Sequence, residues 1–250
     1  MTGGLHLRNI KLTVAYEGTA YHGFQRQNNA ISIQQILEER LAKLFGHDLK
    51  IAGSGRTDAG VHAYGQVVNF KTSGKIPTAS IPIASRSLLP YDIVVTKAED
   101  VPEDFHAQFS ARSKIYVYRV YSHSVPDPFL RNLVWMIPQK LDVPAIQEAM
   151  ETIVGTHDFS AFRASGGAPT SPIRTIMTAQ CQVQDRILEL SFWGDGFLYH
   201  MVRNLTGTLM GIGLGKLAVA DMKRILDGRD RKKAGITAPA QGLYLQEVFY

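Results

Sequence analysis

The clearest structural signal in this chain is the stretch Met177-Thr-Ala-Gln-Cys-Gln-Val-Gln-Asp-Arg-Ile-Leu-Glu-Leu-Ser-Phe192. Apolar and polar residues alternate on both sides of a polar turn formed by residues 184–186. Such alternation is typical of a strand with one buried face, and two strands around a short turn predict a β-hairpin. The pattern places Cys181 on the buried face, where we expect a small core side chain rather than a nucleophile.

Other periodic segments flank the hairpin. Ser32 with Gln35 predicts the start of a helix that ends at Gly46. A second helix is expected to begin after Asp142 and stop at Gly155. We also predict a helix over 220–226 and strands over 11–16, 66–70, 93–96 and 115–121.

The order of these elements is strand–helix–strand, then strand–helix–hairpin–helix. It predicts an α+β fold of two similar halves, each a mainly antiparallel sheet flanked by helices. We place the halves at residues 1–105 and 106–250, with the boundary between about 98 and 113. The apolar, glycine-containing stretch 205–215 is too short to span a bilayer and indicates a close-packed buried segment.

Composition restricts the function classes. The 250 residues include 27 Lys plus Arg and 22 Asp plus Glu, a net charge of +5, with 6 basic and 2 acidic side chains in residues 223–233. This excess permits a polyanionic partner without requiring one. The single cysteine excludes an intramolecular disulfide and suggests a reducing compartment. The N-terminal residues show no long apolar region, so we expect a cytoplasmic protein without a signal peptide.

The densest polar motif is Gly53-Ser-Gly-Arg-Thr-Asp-Ala-Gly-Val-His62. It lacks the Gly-Lys-Ser/Thr ending of a P-loop and the third glycine of a dinucleotide fingerprint. Asp58 beside Arg56 is expected to stay ionised, as a nucleophile or base must be. An Asx-turn is the other interpretation of Asp58, and from spacing alone it is the more common one.

The remaining candidates have two interpretations each. The eight histidines show no HExxH spacing, so surface or hydrogen-bonded core roles are expected and no metal site is predicted. Lys114, Tyr116 and Tyr118 share one strand face, which suits either a stacked base beside a phosphate or a sheet core. The run Arg229-Asp-Arg-Lys-Lys233 is either a solvated loop or a set of phosphate contacts.

Taken together, these segments resemble the tRNA pseudouridine synthase A family. The resemblance rests on six segments in order, spread over nearly the whole chain: YHGFQRQ (21–27), GRTDAGVHA (55–63), KIYVY (114–118), DFSAF (158–162), FLYHMVRN (197–204) and APAQGLYL (238–245). It implies the pseudouridine synthase fold with a central RNA-binding cleft. It also implies an isomerase of uridine at positions 38, 39 and 40 of the tRNA anticodon stem-loop, a homodimer, and no cofactor or metal.

The resemblance also implies roles for five residues. Asp58 matches the essential aspartate, which attacks or deprotonates the nucleoside at C1′, C6 or C2′. Tyr116 matches the tyrosine that stacks on the target base, and Arg203 matches the basic partner of the aspartate. Leu243 resembles the apolar residue packed on the base, and Arg56 would contact RNA near the target. Reaching a base within a stem or loop requires flipping.

Two other functions are compatible with parts of the pattern. A non-catalytic tRNA-binding module would keep the basic and aromatic surface without needing Asp58 and Arg203. A uracil-ribose glycosylase would cleave the same bond with a carboxylate but release free uracil, whereas an isomerase conserves the mass of the RNA.

Overall fold

The computed structural model describes residues 7–167 and 169–250. Within them the strands are β1 (Arg8–Tyr16), β2 (Ala52–Gly53), β3 (His62–Thr72), β4 (Ile93–Val101), β5 (Ser113–Ser122), β6 (Trp135–Ile137), β7 (Gly155–Asp158), β8 (Ile173–Gln184), β9 (Ile187–Gly194) and β10 (Leu243–Phe249). The α-helices are α1 (Ile33–Phe45), α2 (Ile81–Ser85), α3 (Val143–Glu151), α4 (Met201–Gly213) and α5 (Val219–Gly228). The predicted α+β class is confirmed.

The chain forms two compact units, residues 7–112 together with 245–250, and residues 113–244. In the first unit the strand order is β4-β1-β3, followed by the end of β10, and β1 pairs antiparallel with both neighbours. The predicted strand over 11–16 is confirmed, with Leu12 and Val14 fully buried. A Cβ at Gly65 would lie 2.5 Å from the carbonyl oxygen of Gln246, so glycine permits this close approach of the returning C-terminal residues.

Helix α1 follows its sequence signals at both ends. The Ser32 hydroxyl accepts a hydrogen bond from the amide of Gln35 at 3.3 Å, and Gly46 closes the helix in the left-handed conformation at φ 73°. The buried stripe includes Leu37 and Leu41. An N-cap of this type contributes about 1 kcal/mol of stability.

The second unit is built around the strand order β5-β9-β8-β7, which is antiparallel, while the short β6 lies parallel to β5. The predicted hairpin is confirmed as β8 and β9, joined through Asp185 at φ 56°. The prediction that Cys181 lies in the core is wrong, because its side chain is only partly buried. In the described chain β7 pairs only with residues 173–176 of β8, so residues 177–184 form a sheet edge with exposed side chains such as Val183.

Helix α3 begins as predicted, with the Asp142 carboxylate accepting from the amide of Ala145 at 3.1 Å. It ends at Glu151, four residues before the predicted stop at Gly155. The Thr152 hydroxyl donates to the carbonyl oxygen of Ala149, and the chain then continues in tighter turns to Gly155, which starts β7. Gly155 therefore marks the beginning of a strand rather than the end of the helix.

The apolar stretch 205–215 lies largely in α4, and its predicted close packing is confirmed. A Cβ at Gly207 would lie 1.7 Å from the carbonyl oxygen of Ile236, and one at Gly213 would lie 2.6 Å from Ile146. The predicted helix over 220–226 is confirmed as α5. No helix in residues 7–167 and 169–250 has the length and apolar character needed to cross a membrane.

Candidate active site

Two of the predicted site residues lie on one loop of the first unit, residues 54–61, which connects β2 to β3. Arg56 is exposed and Asp58 is partly exposed, whereas Thr57 between them is buried. The buried side chain of Thr57 anchors the loop between these two charged residues. The loop therefore presents a guanidinium and a carboxylate from a fixed backbone.

A second loop, residues 17–24, braces the backbone around Asp58. Gly23 adopts φ 85°, and a Cβ there would lie 2.5 Å from the carbonyl oxygen of Thr57. That oxygen accepts from the amide of Phe24 at 3.0 Å, and the Asp58 carbonyl accepts from Val61 at 3.1 Å. A side chain at Gly18 would also collide with the Val61 carbonyl oxygen, at 2.0 Å. Two glycines thus allow the two loops to lock together.

His62, at the end of this motif, has the hydrogen-bonded core role expected for a histidine in this chain. Its side chain is buried, and Nδ1 accepts from the amide of Gly18 at 2.9 Å. Glu17 Oε1 lies 3.5 Å from the same nitrogen. Because Nδ1 accepts a hydrogen bond, the ring is in the tautomer without a proton there. His62 therefore helps to hold the 17–24 loop.

The other three predicted residues lie in the second unit. Tyr116 is on β5 opposite Phe192, is 9% exposed, and has the ring of Phe197 packed edge-on at 5.1 Å between centroids. Lys114 precedes it by two residues on the same face, opposite Gly194. Burial lowers the pKa of Lys114 to about 8. The predicted pairing of a basic group with an aromatic ring on one strand face is confirmed.

Tyr118, the next residue on that face, belongs to the core. Its ring is fully buried, its hydroxyl donates to the Pro239 carbonyl oxygen at 2.6 Å, and a Cβ at Gly242 would lie 2.6 Å from ring carbons. Burial raises the pKa of Tyr118, while the positive charge of Arg203 opposes that increase. For Tyr118 the core interpretation of the motif is therefore correct.

Arg203 lies in the first turn of α4 and has an oriented guanidinium. Its Nε donates to the carbonyl oxygen of Ala238 at 2.7 Å, and its Nη1 lies 3.3 Å from Nε2 of His200. His200, which precedes the helix, has φ 59°, a conformation uncommon outside glycine. The side chain of Arg203 is thus held from two directions.

Leu243 is buried and begins β10 directly after residues 238–242. In the second unit, Arg203 is hydrogen-bonded to Ala238, at the start of the segment that ends in Leu243. Residues of this segment contact Tyr118 through Pro239 and Gly242. The two-residue alternation in KIYVY predicted that Tyr116 and Tyr118 share one face, but it did not predict the contact of Tyr118 with the 239–242 segment.

The basic run after α5 is partly structural. Arg231 donates to the Gly235 carbonyl oxygen at 2.9 Å, to the Asn204 side-chain oxygen at 2.9 Å and to the Thr237 hydroxyl at 3.0 Å. Asn204 is fully buried and follows Arg203 directly. Neither of the two sequence interpretations, solvated loop or phosphate contact, describes Arg231. Lys232 and Lys233 are exposed.

Across the part of the chain that the structure describes, no group of three or more His, Cys, Asp or Glu side chains is arranged to hold a metal ion.

Comparison with known proteins gives consistent matches. The sequence model of a family described as tRNA pseudouridine synthase matches residues 12–110 and 149–250. Proteins named tRNA pseudouridine synthase A from Thermoanaerobacter sp. (strain X514) and Acetivibrio thermocellus are each 44% identical over 244 residues, 98% of this chain and 100% of the relative. The protein of that name from Clostridium kluyveri is 45% identical, with the same coverage. The family model covers four of the five candidate residues, and Tyr116 lies between its two matched ranges. The relatives match 98% of this chain, including the region of Tyr116.

Proposed function

This chain belongs to the tRNA pseudouridine synthase family, and on that premise we propose that it isomerises uridine at positions 38, 39 and 40 of the tRNA anticodon stem-loop with Asp58 as the nucleophile. The observation that carries the proposal is the Asp58 loop, whose backbone is fixed by the 17–24 loop while the carboxylate stays partly exposed. A fixed and accessible carboxylate is what covalent or base catalysis requires.

The reaction itself explains why a carboxylate is sufficient. The N1–C1′ bond of uridine breaks, the uracil turns, a C5–C1′ bond forms, and the proton on C5 is lost while N1 gains one. Atoms and electrons balance within the nucleotide, so the isomerisation needs no oxidant or reductant. The chain's own groups have to expose the base, hold it and move protons.

The other candidates take supporting roles in this proposal. Tyr116 stacks on the flipped uracil, and its packing against Phe197 keeps the ring in place. Leu243 provides apolar contact with the base. The resemblance gives Arg203 the role of the basic partner of the aspartate, and Arg56, which is exposed, contacts RNA near the target. The resemblance of the motifs to those of the family supports each assignment.

We also propose a homodimer that acts in the cytoplasm. The family resemblance supports the dimer, and a tRNA substrate with a single cysteine in the chain supports the reducing compartment. Mass measurement of the purified protein at micromolar concentration would give one or two chains, and a monomer would contradict the dimer.

The test compares the native chain with Asp58→Ala and Asp58→Asn on unmodified tRNA. Pseudouridine is mapped by position, free uracil is measured, and tRNA affinity is determined separately. We expect both variants to lose turnover while binding tRNA within about twofold of the native affinity, since the carboxylate acts in catalysis. Retained turnover in Asp58→Ala would exclude the nucleophile assignment.

The same assay tests the substrate positions and the reaction class. tRNAs with a single uridine at 38, 39 or 40 should each be modified, and a tRNA without uridine at these positions should not. Release of free uracil in place of pseudouridine would identify a glycosylase.

A further inference from the structure

Four polar side chains lie buried in and beneath the loop that carries Asp58. They are Tyr16 on β1, Ser54 and Thr57 in the loop, and Gln66 on β3, all between 0% and 7% exposed. Buried polar groups need hydrogen-bond partners, and a buried network specifies one arrangement of the chain segments that it joins.

The amide of Gln66 fixes the direction of the network. The Ser54 hydroxyl donates to Gln66 Oε1 at 2.7 Å, and Gln66 Nε2 donates to the Gly55 carbonyl oxygen at 3.0 Å. The Gly55 carbonyl can only accept, so it identifies the amide nitrogen, and the Val67 amide, which donates to Oε1 at 3.1 Å, identifies the oxygen. Nε2 also lies 3.5 Å from the Tyr16 hydroxyl oxygen, which can only accept from it.

The Tyr16 hydroxyl also bonds the loop side chain of Thr57. The two hydroxyl oxygens lie 2.8 Å apart, and either one can be the donor in this bond. Burial raises the pKa of Tyr16 to about 12, which keeps the phenol protonated throughout the neutral range. The Tyr16 hydroxyl thus links Gln66 on β3 to Thr57 in the loop.

The network holds the loop at two points on either side of Arg56. Gln66 binds the backbone of Gly55, and Tyr16 binds the side chain of Thr57, the residue before Asp58. Meanwhile the Thr57 carbonyl is held by Phe24. Both the side chain and the backbone of Thr57 are thus fixed, and the Cα of Asp58 is set by them.

We propose that Tyr16 and Thr57, supported by Gln66, are positioning residues that aim the Asp58 carboxylate at the target nucleotide, an inference that rests on the proposed catalytic role of Asp58. The alternative is that these bonds stabilise the fold and nothing more. Small displacements of a reacting group lower the rate far more than they lower affinity, so rate and affinity separate the two interpretations.

The experiment is a double-mutant cycle with Tyr16→Phe, Thr57→Val and the double variant. Thr57→Ser serves as the conservative variant because it keeps the hydroxyl. Thr72→Val is the matched control, since Thr72 is equally buried, bonds His47 at 2.7 Å through its hydroxyl and lies at the far end of β3 from the loop. For each protein we would measure kcat at saturating tRNA, tRNA affinity and Tm, with Asp58→Ala in parallel.

We expect each single variant to lower kcat about tenfold, with tRNA affinity within about twofold of native. The double variant should also lose about tenfold, not about a hundredfold, because both substitutions remove the same Tyr16–Thr57 hydrogen bond. Thr57→Ser should recover most of the rate, and Thr72→Val should keep native kcat even where Tm falls.

Native kcat in Tyr16→Phe and Thr57→Val, alongside an inactive Asp58→Ala, would overturn the positioning role and leave the proposed function intact. Fully additive losses would also overturn it, because the two hydroxyls would then act separately. An active Asp58→Ala would instead remove the proposed nucleophile and this inference with it.

Discussion

Arg203 and Ala238 are joined by two hydrogen bonds that run in opposite directions. The guanidinium Nε donates to the Ala238 carbonyl oxygen at 2.7 Å, and the Ala238 amide donates to the Arg203 carbonyl oxygen at 3.1 Å. Both the side chain and the backbone of Arg203 are therefore hydrogen-bonded to the backbone of Ala238. Since Nε lies in the guanidinium plane, this pairing sets the direction in which the two terminal nitrogens point.

Arg203→Lys should lower kcat about tenfold or more while changing tRNA affinity little. Lysine keeps the positive charge but concentrates its donors on one nitrogen, so it cannot reproduce the planar arrangement in which Nε bonds Ala238 while the terminal nitrogens lie elsewhere. Single-turnover rates and tRNA binding measure the two effects. Arg186→Lys, at the exposed turn of the hairpin, is the control and should behave as native. A native rate for Arg203→Lys would show that charge alone is sufficient.

Lys114→Met should stabilise the protein at pH 7 by about 3 kcal/mol, because burial lowers the pKa of Lys114 from 10.5 to about 8. Below pH 8 this lysine is charged in both states, so folding carries the full penalty of burying the charge. Between pH 8 and 10.5 it is neutral when folded and charged when unfolded, and the penalty declines to zero.

Urea unfolding at pH 7 and pH 9.5 measures this effect, with the exposed Lys216→Met as the control that should show little change at either pH. The gain in Lys114→Met should be smaller at pH 9.5. A gain that is independent of pH would show that the methionine stabilises by packing alone. Lys114 lies on the same strand face as Tyr116, an arrangement that suits a stacked base beside its phosphate. We therefore also expect Lys114→Met to weaken tRNA binding.

Gly207→Ala should destabilise the protein by about 3 kcal/mol, because a Cβ would lie 1.7 Å from the Ile236 carbonyl oxygen. The displaced segment includes Ala238, so kcat should fall as well. Gly228→Ala is the matched control: it ends α5 and has no heavy atom within 4 Å of the added carbon. There alanine should be neutral or stabilise by up to about 1 kcal/mol. Thermal unfolding of both variants checks this, and equal Tm values would contradict the packing of α4.

Cys181 should react slowly with thiol reagents in the native protein. Burial raises the pKa of its thiol from 9.0 to about 11, so the thiolate fraction at neutral pH is about a hundredfold lower. The rate with Ellman's reagent before and after urea unfolding measures this, and Cys181→Ser should retain full activity. A fast native reaction would show that the β8 edge opens readily.

Short sequence patterns predicted the positions of helices and strands well, but they predicted poorly which elements lie beside them. Ser32 and Gly46 both cap α1 as predicted, since capping depends on residues close in sequence. Cys181 was misplaced because alternation identifies the faces of a strand, whereas burial depends on how far a neighbouring strand extends. The end of α3 was misjudged for a similar reason, since Gly155 belongs to a pairing with Ile176.

The same limit applies to the candidate site. The motif indicated Asp58 and Arg56, but nothing near them in sequence indicated Tyr16 or Gln66 beneath the loop. The contacts of Arg231 with Asn204 and Thr237 likewise join residues from different segments. Short-range patterns thus indicate the proposed substrate-contacting residues, such as Asp58 and Arg56. The proposed positioning residues, such as Tyr16 and Gln66, can be identified only in the folded chain.

The return of residues 245–250 to the first unit has a consequence for synthesis. Residues 113–244 form a continuous stretch and can fold as soon as they emerge from the ribosome. The unit that carries Asp58 emerges first, yet it lacks its β10 segment until the ribosome has translated more than a hundred further codons. The nascent chain should therefore acquire its proposed nucleophile early and complete the surrounding sheet late, so that protease protection of the first unit during translation lags behind that of the second.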